Sequence, residues 1–209
     1  MSLGLSDSEG IRIEAAKIIA RGGVIAFRTD TFYGLGADPL NQQAVRRIRE
    51  LKGREDTKAI LLLISDLGEA NRFIAQQSKD FQRVAARLWP GPLTLVGLAR
   101  SELPSELTAG TGTIGVRLPD DEDVRAFVRA CGGALTATSA NVSGQPPACS
   151  ADDVRNYFPA GVELIVDGGL VTATQASTVL DLSGTTPRLI REGAISRELL
   201  RSLLTSLSQ

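Results

Sequence analysis

The sequence predicts a single α/β domain built on a mixed sheet, and three observations carry that expectation. Apolar runs of strand length alternate with amphipathic stretches of helix length. Several strand-length runs near the C-terminus follow one another with no helix between them, which argues for antiparallel pairing there. Finally, 209 residues with 43% hydrophobic and 22% charged side chains show no repeat, low-complexity linker or composition break. The expected domain is therefore 1–209, in one piece.

Taken in order, Ser6 with Glu9 reads as a capping box for a helix that presents Ile11, Ala15, Ile18 and Ile19 on one face and stops at Gly22-Gly23. Residues 24–27 form a short strand, and 28–38, rich in Thr, Asp and Gly, read as a loop. Asn41 caps a helix running to about Lys52, with Val45, Ile48 and Leu51 inward. Residues 59–64 read as a strand buried on both faces. Helices are expected over 66–74 and 78–88, the second stopped by Pro90-Gly91. Strands at 93–98 and 113–118 flank a loop at 104–112. A helix starts at Asp120 or Asp121, followed by a strand at 135–138 and a polar loop. Ser150 with Asp153 opens a short helix, strands follow at 163–166, 178–182 and 188–191, and Ser196 caps a last helix with Ile195, Leu199, Leu200, Leu203 and Leu204 inward.

Composition narrows the chemistry. The chain has no histidine. Ser-His-Asp and Cys-His catalysis, histidine acid/base work and the common transition-metal sites are thereby excluded. The two cysteines, Cys131 and Cys149, form no C-x-x-C pair and are expected as reduced thiols. A formal net charge of -1 gives no global field for nucleic acid, so an anion site must be a local cluster. The longest apolar run, residues 59–64, is far too short to cross a bilayer, and a cytoplasmic protein is expected.

Four polar segments stand at the ends of expected strands, where α/β proteins place ligands. Residues 29–36 combine two threonines and Asp30 with glycines, as a binding loop or as a polar turn. Between Arg46 and Lys58 lie six basic and three acidic residues, and Lys52-Gly53-Arg54 sits at a helix end. Those cations either favour the helix C-terminus or clamp a polyphosphate. Residues 138–144 cluster Thr138, Ser139, Asn141 and Ser143 after a strand, again as a phosphate or carboxylate site or as a turn. The fourth set is dispersed: Arg117 ends one strand, Ser177 and Thr178 enter another and Arg191 leaves a third. Neither a G-x-x-x-x-G-K-[ST] loop nor a G-x-G-x-x-G fingerprint is present.

In order and spacing, TDTFYGLGADP (29–39), ELKGR (50–54), WPGPLTLV (89–96), TIGVRLP (113–119), TSANVSGQPP (138–147), STVLDL (177–182) and IREGAIS (190–196) resemble the YrdC family of threonylcarbamoyl-adenylate synthases. The resemblance implies a twisted mixed parallel/antiparallel sheet with flanking helices, a large positively lined cavity and the short form of the enzyme without a second domain. It implies threonine, bicarbonate and ATP as substrates, magnesium carried with ATP, and no dedicated metal ligands. It also implies a downstream threonylcarbamoyl transferase acting on tRNA. Carried over by position, Lys52 and Arg54 are the expected catalytic cations. They would share the nucleotide with Lys58, Thr113, Ser139, Asn141 and Arg191. Thr31, Arg117, Thr138 and Ser177 would hold threonine, with Arg117 on its carboxylate and Thr29 a one-pleat alternative to Thr31. Arg28, Glu55, Ala59 and Leu63 depart from the family pattern, which leaves room for a paralogue that adenylates another carbamoyl compound. A non-catalytic factor of the same fold that binds tRNA or double-stranded RNA is the expectation of a different class, and the low aromatic content (4%) weighs against it.

Overall fold

The structure is a computed structural model that describes residues 9–53, 59–173 and 175–204. Helix α1 (Glu9–Ala20) buries Ile11, Ala15, Ile18 and Ile19, the stripe expected for it. Ser6, one half of its expected capping box, lies outside the described residues. The amides of Gly22 and Gly23 close the helix by donating to the carbonyls of Ile19 and Ile18, each at 2.9 Å.

Strand β1 (Ile25–Arg28) turns at 29–32 and returns at once as β2 (Tyr33–Gly36), antiparallel to it. The expected loop over 28–38 is thus a hairpin. Two glycines and a polar turn mask the strand, whose apolar signal is only Tyr33 and Leu35, two residues apart and both buried. Helix α2 (Gln42–Leu51) starts where Asn41 Oδ1 accepts the Ala44 amide at 3.1 Å, and it ends on Lys52.

Strand β3 (Leu62–Ile64) is half the length expected, because the Ile60 amide donates to the Leu107 carbonyl at 3.1 Å instead of joining the ladder. Residues Leu67–Arg72 form a 3-10 helix where an α-helix was expected. Then come α3 (Lys79–Leu88) and β4 (Leu93–Leu98). A one-turn helix α4 (Ser105–Thr108), inside the expected loop, precedes β5 (Thr113–Arg117) and α5 (Glu122–Ala130), which Asp121 caps. The expected strand 135–138 is two strands, β6 (Ala134–Thr136) and β7 (Thr138–Ser139), in different sheets. Helix α6 (Ala151–Tyr157) has the reciprocal Ser150–Asp153 capping box. Strands β8 (Leu164–Val166), β9 (Thr178–Asp181) and β10 (Arg188–Arg191) lead to α7 (Arg197–Leu203), capped by Ser196. Within α7, Leu200 is buried whereas Leu199 is exposed.

The mixed pairing is distributed over two sheets rather than one. A four-stranded sheet runs β7-β2-β1-β8 and a six-stranded sheet runs β10-β9-β4-β5-β3-β6. The chain crosses between them at Ala137, whose amide donates to the Leu61 carbonyl at 2.9 Å. In the six-stranded sheet β4 pairs β9 in parallel and β5 antiparallel. Alternation then sorts its side chains. Leu62, Ile64, Leu93, Leu95, Ile114, Val116 and Leu180 point to the larger core. Thr94, Arg117 and Ser177 take the other face, where Arg117 and Ser177 border a cleft and Thr94 lies buried behind Ser177. A smaller core joins Ile25, Phe27, Leu63 and Leu135 to α1 and α5, with Phe27 and Phe127 stacked at 5.2 Å.

Candidate functional site

The cleft lies where the two sheets meet. It encloses about 250 Å³ and is lined by the 29–34 turn, by Ala137, Thr138 and Ser139, and by Arg117, Ser177 and Arg191 from strand ends. Its two charged lining residues are both arginines. Arg117 ends a strand that is buried along most of its length, whereas Arg191 ends β10, in which only Leu189 is buried.

Arg117 is 3% exposed. Its Nη1 donates to Asp30 Oδ1 at 2.6 Å and its Nη2 to Thr31 Oγ1 at 3.3 Å, while its Nε is buried with no partner among the described residues. Burial pulls the guanidinium pKa down and the Asp30 carboxylate opposes that pull. Arg191 grips the entry to β9. Its Nε and Nη2 donate to the Ser177 carbonyl at 3.1 and 2.8 Å, and Nη2 reaches Ser177 Oγ at 3.2 Å. Its pKa is lowered by burial first and then by the charge of Arg117, so the two cations share one field.

The 29–32 turn separates the two threonines. Thr29 Oγ1 donates to the Phe32 carbonyl at 2.7 Å and accepts the amides of Thr31 and Phe32, so its hydroxyl is consumed by the turn. Thr31 carries the hydroxyl that Arg117 touches. Asp30, which the sequence presents as a possible cap, is instead the counter-ion of Arg117.

On the facing wall, Thr138 and Ser139 form the two-residue strand β7, paired with Leu35 and Gly34. Lys52 is 2% exposed. Its Nζ donates to the carbonyls of Ser139 and, at 3.0 Å, Asn141. The Ser143 amide in turn donates to the Lys52 carbonyl at 3.2 Å. Lys52 therefore organises the 139–143 loop from beneath. Asn141 is 7% exposed; its Nδ2 donates to the Val142 and Gln145 carbonyls, and its Oδ1 is buried without a partner among the described residues. A buried acceptor of this kind is matched by a donor on a ligand.

Not every expected site residue lies here. Thr113 is at the opposite end of β5 from Arg117, about 13 Å along the strand, with its hydroxyl 3.0 Å from that of Thr111. Arg54 and Lys58 lie outside the described residues. Of the departures from the family pattern, Ala59 lines the cleft. Leu63 is fully buried in the smaller core. Arg28 pairs with Asp121 at 3.3 Å and lies against Gly168, outside the cleft. Glu55 is outside the described residues.

Two residues escaped the sequence reading. One is Asp30 as the partner of Arg117. The other is Thr94, 1% exposed, with Oγ1 3.1 Å from Ser177 Oγ. Its signal is a lone hydroxyl between Leu93 and Leu95, which alternation turns away from the core. The turn before α7 closes the same corner. Thr178 Oγ1 accepts the Gly193 and Ile195 amides at 2.9 Å each and donates to the Ile195 carbonyl. A side chain at Gly193 would stand 2.2 Å from the Ala176 carbonyl oxygen, so only glycine permits that approach.

One buried and one more exposed arginine, with a ring of hydroxyls at strand ends, define an α/β protein that receives a small anionic ligand where its sheets meet. The chain belongs to the Sua5/YciO/YrdC family, whose model, described as telomere recombination, matches residues 17–193. A threonylcarbamoyl-AMP synthase of Pyrococcus abyssi is 39% identical over 90% of this chain and 55% of its own length. That of Thiobacillus denitrificans is 40% identical over 84% of this chain and 93% of its own length. A crystal structure of P. abyssi Sua5 complexed with L-threonine superposes with a TM-score of 0.90 at 33% identity, covering 96% of this chain and 60% of that one. This chain thus spans little more than half of the archaeal relative and nearly all of the Thiobacillus one.

Proposed function

We propose that this chain is a threonylcarbamoyl-AMP synthase that forms the adenylate and pyrophosphate from L-threonine, bicarbonate and ATP. The observation that carries the reading is the cleft shared by the buried Arg117 and the more exposed Arg191, faced by the Ser139–Asn141 loop that Lys52 holds. Relatives bearing that name, and a relative's structure with L-threonine, support it.

In this reading the amino acid lies against the strand-borne wall. Arg117 and Thr31 receive its carboxylate with Ser177, and Thr138 borders it. The two guanidinium charges favour the neutral form of the nearby amine, which is the form that attacks CO2 derived from bicarbonate. A nitrogen–carbon bond forms, nitrogen loses a proton, and the carbamate is an anion. Its oxygen then bonds to the α-phosphorus of ATP as the bond to the β-phosphate oxygen breaks, and pyrophosphate leaves. The nucleophile already carries its charge, so a chain without histidine needs no strong base; its task is positioning and charge neutralisation. Lys52, Arg54, Lys58 and Arg191 are the cations for the phosphates, with Ser139 and Asn141 on the nucleotide and Thr113 a more distant candidate. Among the described residues no three His, Cys, Asp or Glu side chains cluster as a metal site. Magnesium would travel on the nucleotide phosphates. The adenylate is a donor for a threonylcarbamoyl transferase acting on tRNA, which fits a cytoplasmic enzyme. Among the described residues no helix is long and apolar enough to cross a membrane.

The experiment supplies ATP, threonine and carbon-13 bicarbonate and weighs the product. An adenylate one mass unit heavier than with ordinary bicarbonate is expected, with pyrophosphate released in equal amount. Pyrophosphate release without label in the adenylate would refute the carbamate route.

A further inference from the structure

We propose that Thr94 is a positioning residue that fixes the Ser177 hydroxyl as a hydrogen-bond donor to the carboxylate of the bound amino acid. The inference rests on the substrate reading above and adds a residue and a polarity to it.

Hydrogen-bond accounting leads there. Ser177 Oγ has one hydrogen and two lone pairs. Arg191 Nη2, 3.2 Å away, has no lone pair to offer, so Ser177 accepts from it. Among the described residues, the remaining hydrogen-bond neighbour of Ser177 Oγ is Thr94 Oγ1 at 3.1 Å. Thr94 is 1% exposed, and this contact is its side chain's one hydrogen bond among the described residues. If Ser177 donated to Thr94, the Thr94 hydrogen would be buried and unpaired, the costly alternative. Thr94 therefore donates. Both lone pairs of Ser177 are then filled, and its own O–H is left for the cleft that it lines.

The rotamer of Thr94 has an independent cause. Strand alternation turns Thr94 to the face opposite Leu93 and Leu95, toward Ser177, the residue that precedes the parallel neighbour β9. Its methyl group occupies the space over Gly115, where a Cβ would come within 3.1 Å of Thr94 Cγ2. With the methyl placed there, the branched side chain has few staggered positions left, and the hydroxyl is directed at β9. The device selects an acceptor: a carboxylate oxygen is matched, whereas a ligand donor at the same point meets the Ser177 hydrogen.

The test is L-threonine binding to the full chain by calorimetry, with ATP binding measured separately. Thr94→Val keeps the shape and removes the donor, and should weaken threonine binding about tenfold. Ser177→Ala should weaken it at least as much. The double variant should be no worse than Ser177→Ala, because Thr94 acts through Ser177. Thr94→Ser should return affinity to within about twofold of wild type, and ATP affinity should not change in any of the four. Unaltered threonine affinity in Thr94→Val overturns the proposal. So does a full additional loss in the Ser177→Ala background, or an equal loss for ATP. Wild-type protein that binds no L-threonine would overturn the substrate reading itself and this inference with it.

Discussion

The two walls of the cleft are built in different ways. The wall that carries Arg117, Thr94, Ser177 and Arg191 is made of strand ends in the six-stranded sheet, and its polar groups are largely paired with one another. Arg117 has Asp30 and Thr31, Arg191 has the Ser177 backbone, and Thr94 has Ser177. The facing wall is a two-residue strand and a loop. Its backbone carbonyls are gathered by Lys52, and it retains an unpaired buried acceptor on Asn141. Apart from Arg191, the cation offered to the phosphates, the first wall is largely paired before a ligand arrives, as recognition of a small, fixed zwitterion requires. The second leaves hydrogen-bonding capacity for a larger ligand and rests on one lysine.

The strongest perturbation of this contrast is at Asp30. Removing it leaves Arg117 buried without a counter-charge, and Asp30→Ala should cost about 3–5 kcal/mol of stability in urea unfolding. Threonine should restore more stability to this variant than to wild type, because its carboxylate supplies the missing negative charge. A variant as stable as wild type would mean that Arg117 is not held by this pair.

A smaller effect is expected at Tyr33, behind the turn. Its hydroxyl donates to the Gly169 carbonyl at 2.8 Å and accepts the Gly168 amide at 3.1 Å. Burial, with the Asp167 carboxylate adding to it, raises the phenol pKa from 10.0 to about 12. The unfolded chain loses this proton first. The contribution is therefore intact below pH 10 and is lost as pH rises from 10 toward 12. Tyr33→Phe should flatten that part of the alkaline melting profile. An unchanged slope would assign the alkaline loss to other groups.

Much of this architecture is legible in the sequence because helices announce themselves. Asn41, Ser150 and Ser196 cap where expected, Asp121 is the cap of the two starts offered, and Ser78 caps the helix that was expected to begin on it. The short strands are harder. Strand β2 hides behind Gly34 and Gly36, and the 135–138 run conceals a change of sheet at Ala137, which periodicity cannot register because both halves are short. At the site, Arg117, Ser177, Arg191, Thr31, Thr138 and Ser139 converge from five separated segments as their positions at strand ends suggest. The Asp30–Arg117 pair joins residues 87 apart and the Thr94–Ser177 pair residues 83 apart. Only the sheet register brings such residues together, and no local pattern encodes it.

The most direct test of the two-wall account compares Arg117→Ala with Lys52→Ala, measuring threonine and ATP binding separately and then pyrophosphate release. Arg117→Ala should weaken threonine at least tenfold and ATP by less than about twofold. Lys52→Ala, and Arg54→Ala with it, should keep threonine binding while ATP binding and pyrophosphate release fall by about a hundredfold or more. Equal losses of both ligands in both variants would contradict a cleft divided between an amino-acid wall and a nucleotide wall.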